Sequence, residues 1–234
     1  MSQYEIVPAF SDALRDEVYR VRHQVFCEEL AFEPQRPDRR EYDEYDAHSL
    51  HLLIRSAQNG EFMGCTRLVR ARPEDPDYPL PFEKTCAATL DRSIVDPAKL
   101  RRDSIGEVSR LAVLTRYRKR KLREAGFIQH FDTPTHSQYS KMFADLYLGI
   151  IELARVSGID TLFVLTEERL ARHLRILGYK VQTIGAPINH RGQRLPSMIT
   201  NFHSTVHSSY RTSAAEVAPR RHSILIPAPL MMHA

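Results

Sequence analysis

The sequence predicts a single mixed α/β domain, one sheet with helices on its faces. Three observations carry this. Hydrophobic periodicity orders the elements β, α, β, β, β, α, β, α, β, β. The middle of that order is an antiparallel hairpin, because Asn59-Gly60 joins two strand-like runs, so a doubly wound parallel sheet is excluded. No repeat of fixed period occurs, which excludes a solenoid.

Each element has its own signal. Tyr4 to Phe10 is a short strand ending at Ser11-Asp12, either of which can cap a helix. From Asp12 the apolar residues Leu14, Val18, Val21, Val25 and Leu30 recur at helical spacing, so a helix should run to about Phe32 and stop before Pro34. Gln35 to Asp46 is a polar loop that follows Pro34 and holds Pro37. Ser49 to Ala57 and Glu61 to Ala71 are the hairpin strands. Arg72 to Pro81 holds four prolines and is a loop, and Phe82 to Leu90 has room for a short helix. Ile105 to Leu114 is a third strand. Gln138 to Val156 is a helix through Met142, Leu146, Ile150 and Leu153, stopped by Gly158. Thr161 to Leu165 is a buried-type strand, and Glu167 to Leu177 is a helix ended by Gly178. Tyr179 to Ile184 and Leu195 to Phe202 are the last strands. The domain is read as residues 1–203, with 204–234 an irregular tail.

Composition narrows the class. The 234 residues are 42% hydrophobic and 26% charged, which are globular values. Lys plus Arg is 33 and Asp plus Glu is 29, so the net charge is only +4. Cys27, Cys65 and Cys86 are far apart, with no C-x-x-C, which argues against a disulfide framework or a zinc knuckle. Met1 to Glu17 carries four acidic residues and no apolar signal region, and no apolar run is long enough to span a membrane. A cytoplasmic protein is expected.

G-x-S-x-G, the phosphate-loop motif, H-E-x-x-H and G-x-G-x-x-G are all absent, and the 11 histidines show no metal spacing. Four features remain. Arg22 and Phe26 lie one helical turn apart, which also suits a snorkelling Arg beside a core Phe. Glu41, Asp43 and Asp46 form an acidic loop that either is solvated or holds a cation. Arg67 follows Gly64 in an apolar strand and needs a carboxylate if buried. In Glu107-Val-Ser-Arg-Leu-Ala-Val113, strict alternation puts Glu107, Ser109 and Leu111 on one face and Val108, Arg110 and Ala112 on the other. A strand Glu among apolar residues would have a raised pKa, useful in a general base.

Taken in order, R-x-x-x-F, E-x-D-x-x-D, G-x-x-R-L and E-x-S-R-x-A-V resemble the acyl-homoserine-lactone (autoinducer) synthases and the N-acyl amino acid synthases. The finer resemblance is to acyltransferases associated with exosortase/PEP-CTERM systems. It rests on Arg22-His-Gln-Val-Phe-Cys-Glu-Glu-Leu-Ala-Phe-Glu33, His48-Ser-Leu-His51, the Glu107 motif and Tyr117-Arg-Lys-Arg120. Autoinducer synthases usually have Trp where this chain has Phe32, and the chain has no Trp.

The resemblance implies a GNAT-type fold: a mixed, mostly antiparallel sheet with helices on both faces and a splayed parallel strand pair, here Ile105–Leu114 and Thr161–Leu165. It implies transfer of a fatty acyl group from acyl-phosphopantetheine, on acyl carrier protein or CoA, to a small-molecule amine, without a tightly bound cofactor or metal. Catalysis falls to Glu107 as general base, with Ser109 and Arg110. Arg22, Phe26, Phe32, Asp43, Asp46 and Arg67 shape the acceptor site, and Arg110 or Arg67 could hold an acceptor carboxylate. Phe143, Leu146 and Ile150 are candidate walls of the acyl pocket. Acyl-CoA users normally follow the first splayed strand with a Gly-rich turn that binds pyrophosphate. Arg116-Tyr-Arg-Lys-Arg-Lys-Leu-Arg123 has no glycine there. Arg118, Lys119, Arg120 and Lys121 are therefore assigned to docking of acidic acyl carrier protein. Cys65 as a thiol nucleophile is the weaker catalytic reading. The acceptor readings are an α-amino acid, then S-adenosylmethionine giving a homoserine lactone, then a protein amine. A nucleic-acid module built on residues 99–123 is the rival, although few aromatics are interleaved.

Overall fold

The computed structural model describes residues 3–119 and 136–202, with the side chains of 118–119 and 136–141 left aside. The sheet strands are β1 (Tyr4–Pro8), β2 (Ser49–Ser56), β3 (Phe62–Arg70), β4 (Ile105–Val113), β5 (Thr161–Thr166), β6 (Lys180–Thr183), β7 (Ile188–Asn189) and β8 (Gln193–Thr200). The helices are α1 (Asp12–Arg22), α2 (Pro81–Thr85), α3 (Thr115–Lys119), α4 (His136–Val156) and α5 (Glu168–Ile176). The strands join in the order β1-β2-β3-β4-β5-β8-β6, with β7 on β8. Among the described residues β4–β5 is the one parallel pair.

The two faces bury different cores. Leu146, Ile150 and Leu153 of α4 and Ala171 and Leu174 of α5 pack on Leu52, Ile54, Leu68, Val108 and Leu162. Val18 and Val21 of α1 pack on Leu53, Cys65 and Ala112 of the opposite face. Further along that face, Phe82 of α2 stacks on Phe163 with ring centroids 4.3 Å apart, among Tyr45, Val69 and Ile105. Full burial of one such side chain contributes about 1.5–3 kcal/mol, so these faces account for most of the drive to fold.

Two departures from regularity position the site. The helix expected to reach Phe32 changes pitch: α1 ends at Arg22 and a π-helical segment runs from His23 to Glu29. The Leu30 N–H closes it onto the Val25 carbonyl at 3.0 Å. Such widened turns often mark functional places. The second departure is a bulge in β4. Arg67 pairs with Ser109 and Cys65 with Ala112, so Thr66 faces both Arg110 and Leu111. Arg110 takes a left-handed backbone, φ 52°. The extra residue corrects the strict alternation expected of this strand: Leu111 turns to the α4 face and Ala112 to the α1 face.

The predicted splay is present. Parallel pairing runs from Ile105–Thr161 to Val108–Val164 and stops, although β4 continues to Val113 and β5 to Thr166. The segment Arg120 and Lys121, and the tail 204–234, lie outside the described residues. No helix among the described residues is long and apolar enough to cross a membrane.

Candidate active site

Three arginines and three carboxylates meet on the α1 face. Arg22 ends α1, Arg67 is inside β3, Arg110 is the bulge residue of β4, and the carboxylates come from the loop before β2. The spacing of Asp43 and Asp46 has a local cause. Asp43 caps a short 3-10 turn, Glu44–His48, and the two aspartates form a capping box. The Asp43 N–H donates to Asp46 Oδ2 at 2.8 Å, and the Tyr45 N–H donates to Asp43 Oδ1 at 3.0 Å. The remaining acceptor capacity faces inward.

There the arginines saturate it. Arg22 donates to Glu41 through Nε and to Asp46 Oδ1 through Nη1 at 2.6 Å. Arg67 Nη1 reaches Asp43 Oδ1 at 2.6 Å and Asp46 Oδ1 at 3.1 Å, and its Nε reaches Ser109 Oγ at 3.1 Å. Arg110 Nε bonds Glu41 Oε1 at 3.2 Å and its Nη2 bonds Asp43 Oδ2 at 3.0 Å. Arg22 and Arg67 are 0% and 1% exposed. Desolvating each ion costs several kcal/mol, so the arrangement holds only because each charge is met. Burial alone would raise the pKa of Glu41, Asp43 and Asp46, yet the guanidiniums outweigh it and hold all three below the carboxylate range. His51 lies beside them, Nε2 3.6 Å from Asp46 Oδ1, and burial pushes its imidazole down to about 3.

Glu107 is treated differently. It is buried on β4, one residue before the β4–β5 ladder ends, with Oε2 accepting the Phe82 N–H at 2.7 Å. Burial raises it to about 7, against the smaller opposing effects of that bond, Arg67 and Arg110. A carboxyl half-ionised near neutrality can take a proton and return it. Burial, and then Glu107 itself, pushes the nearby Cys86 thiol up to about 11. Cys65 is fully buried and burial pushes it up to about 12, which corrects its reading as a nucleophile: at neutral pH it is a thiol.

Most of the predicted catalytic and acceptor-site residues converge. Arg22, Asp43, Asp46, Arg67, Ser109 and Arg110 are one hydrogen-bonded set, and Phe26 lies under Arg110, 5.9 Å from guanidinium carbon to ring centroid. Phe32 is at the rim, 39% exposed. Leu146 and Ile150 lie in the core on the opposite face, with Phe143 half-buried against it. The side chains of Arg118, Lys119, Arg120 and Lys121 lie outside the described residues. Among the described residues no group of three or more His, Cys, Asp or Glu is placed to hold a metal. Three contributors carried no sequence signal: the Phe82 backbone N–H, the pairing of Glu33 with Arg191, and the position of Cys86. Each is a contact made across the fold rather than along the chain.

A mostly antiparallel sheet with one splayed parallel pair and helices on both faces is the expected GNAT-type fold. Residues 21–125, under half of the 234-residue chain, match the family model described as an acetyltransferase (GNAT) domain. TofI, solved with an inhibitor and MTA, is 20% identical with TM-score 0.60, covering 88% of this chain and 97% of its own. BjaI, a CoA-dependent acyl-homoserine lactone synthase solved with SAM and isopentyl-CoA, is 19% identical with TM-score 0.59, covering 91% and 89%. FeeM, an N-acyl amino acid synthase from uncultured soil microbes, is 13% identical with TM-score 0.55, covering 89% and 97%. At these identities the likeness is one of fold. No curated protein sequence matches the chain.

Proposed function

We propose that the chain is an N-acyltransferase that moves a fatty acyl group from an acyl-phosphopantetheine thioester to the amine of an amino acid. The observation that carries this is Glu107, a buried carboxyl raised to about 7, one residue from where β4 and β5 part. The acyl-pantetheine arm lies in that gap. Glu107 takes one proton from the acceptor ammonium, directly or through a water. The freed amine attacks the thioester carbonyl, forming the C–N bond. Collapse breaks the C–S bond, and the departing thiolate takes the second amine proton. Backbone N–H groups exposed by the splay stabilise the oxyanion.

The charged network keeps Ser109, Arg110 and Phe26 in place beside the acceptor. Phe143, with Leu146 and Ile150 behind it, lines the acyl chain. The donor is acyl carrier protein, held by Arg118 to Lys121, with acyl-CoA the alternative. The exosortase/PEP-CTERM setting is supported by the sequence motifs. Phe32 in place of Trp favours an amino acid over S-adenosylmethionine. FeeM and BjaI, which share the fold, are respectively an N-acyl amino acid synthase and an acyl-homoserine lactone synthase. The nucleic-acid reading is disfavoured because Arg102 and Arg110, inside the basic segment, are turned inward onto Glu83 and Glu41. Mass spectrometry of lipid extracts from cells overexpressing the chain tests the proposal. Acyl-amide masses that vanish in Glu107→Gln support it, and their absence from wild type refutes it.

A further inference from the structure

Arg22 and Arg67 are 0% and 1% exposed and paired with Glu41, Asp43 and Asp46, so they are closed to a substrate anion arriving from solvent. Another cation stands at the rim. Arg191 occupies the turn between β7 and β8 with a left-handed backbone, φ 56°. Its guanidinium pairs with Glu33 and lies 5.7 Å from the Phe32 ring. Arg194 braces the turn by donating to the Arg191 carbonyl at 3.2 Å and the His190 carbonyl at 3.4 Å, and it pairs with Glu167 just beyond the free end of β5. Glu33 is shared, because Arg110 Nη2 is 3.8 Å from the same Oε1. Cations crowd the spot: burial first, then Arg191, Arg110 and Arg194, lowers the pKa of His190.

We propose that Arg191 is the residue that selects a carboxylate on the acceptor. This rests on the acyl-transfer reading above. The pair is reachable, with side-chain exposures of 25% for Arg191 and 23% for Glu33, against 0% for Arg22 and 1% for Arg67. Glu33 has two guanidinium neighbours, so it can give up Arg191 and stay with Arg110. An incoming carboxylate then takes the planar fork of Arg191 in a bidentate contact. An amine lacking the carboxylate leaves the Glu33–Arg191 pair closed and gains nothing from it.

The test compares acid and amide ligands in full-length wild type and Arg191→Gln. Calorimetry with N-dodecanoylglycine and N-dodecanoylglycinamide reads binding without turnover. Kinetics with glycine and glycinamide reads KM. Arg191→Gln should weaken the acid ligand about 10- to 100-fold and leave the amide within about twofold. Arg191→Lys should recover part of the loss. Equal weakening of acid and amide assigns Arg191 a purely structural part and overturns the proposal, as does no weakening of either. Binding that discriminates acid from amide while wild type forms no amide would sink the acyl-transfer reading and leave Arg191 as a carboxylate-binding residue only.

Discussion

Glu107→Gln should make the protein less active and more stable, with both effects set by the same pH range. The unfolded carboxyl titrates near 4.5, whereas the folded one titrates near 7. The native state therefore keeps its proton to higher pH, and its relative stability is intact below 4.5 and lost as pH rises to 7. The gap corresponds to about 3 kcal/mol of cost above pH 7. Gln carries no charge and keeps an oxygen for the Phe82 N–H. Urea unfolding at pH 8 should show Glu107→Gln more stable by up to about 3 kcal/mol, with the difference gone at pH 4.5. In the acylation assay wild-type kcat/KM should climb with a midpoint near 7. The variant should fall about 10²- to 10⁴-fold and lose that midpoint. A variant equally stable or weaker at pH 8 would show that the carboxylate is not held at a cost. Unchanged turnover would remove it from the mechanism.

Arg22→Met should lower stability by about 3–5 kcal/mol in urea titration, because it leaves buried Glu41 with Arg110 alone and buried Asp46 with Arg67 alone; a loss under 1 kcal/mol would show that the pocket takes up water. Asp46→Asn should flatten the acid limb of stability. The depressed Asp46 pKa stabilises the fold above the ordinary carboxylate range, and that contribution is lost as pH falls through the folded value, which an unfolding series from pH 6 to pH 2 would follow. Gly64→Ala should cost about 1–3 kcal/mol in thermal unfolding, since its Cβ would meet the Ala112 carbonyl oxygen at 2.5 Å. Reversing the charges of Arg118, Lys119, Arg120 and Lys121 should raise KM for acyl carrier protein with kcat unchanged, and added salt should do the same to wild type; indifference at low salt would discard the docking role.

The fold was readable wherever local chemistry decided it. Asn59-Gly60 marked the hairpin, Pro and Gly marked helix ends, and apolar period marked α4 and β4. The acidic loop was readable only as a run of carboxylates, open between solvation and cation binding; its capping box and its arginine partners emerge from the fold. The pitch change at His23 and the bulge at Arg110 were not. A left-handed residue that is neither Gly nor Asn carries no sequence mark, and its conformation is set by the carboxylates that receive its side chain. The Phe82–Glu107 bond was hidden for a related reason: a backbone donor has no residue identity to read.

The bulge bears on which sequence lengths this sheet can accept. With Arg110 deleted, Leu111 would face Thr66 between the Ser109–Arg67 and Ala112–Cys65 pairs, giving an unbroken ladder. Val108, Leu111, Ala112 and Val113 would all keep the faces they occupy now. The left-handed residue, worth about 1–3 kcal/mol of strain, would be gone. Glu41 and Asp43 would each lose a cation. A one-codon deletion thus separates the two demands on this strand: the sheet can do without Arg110, and the charged pocket cannot.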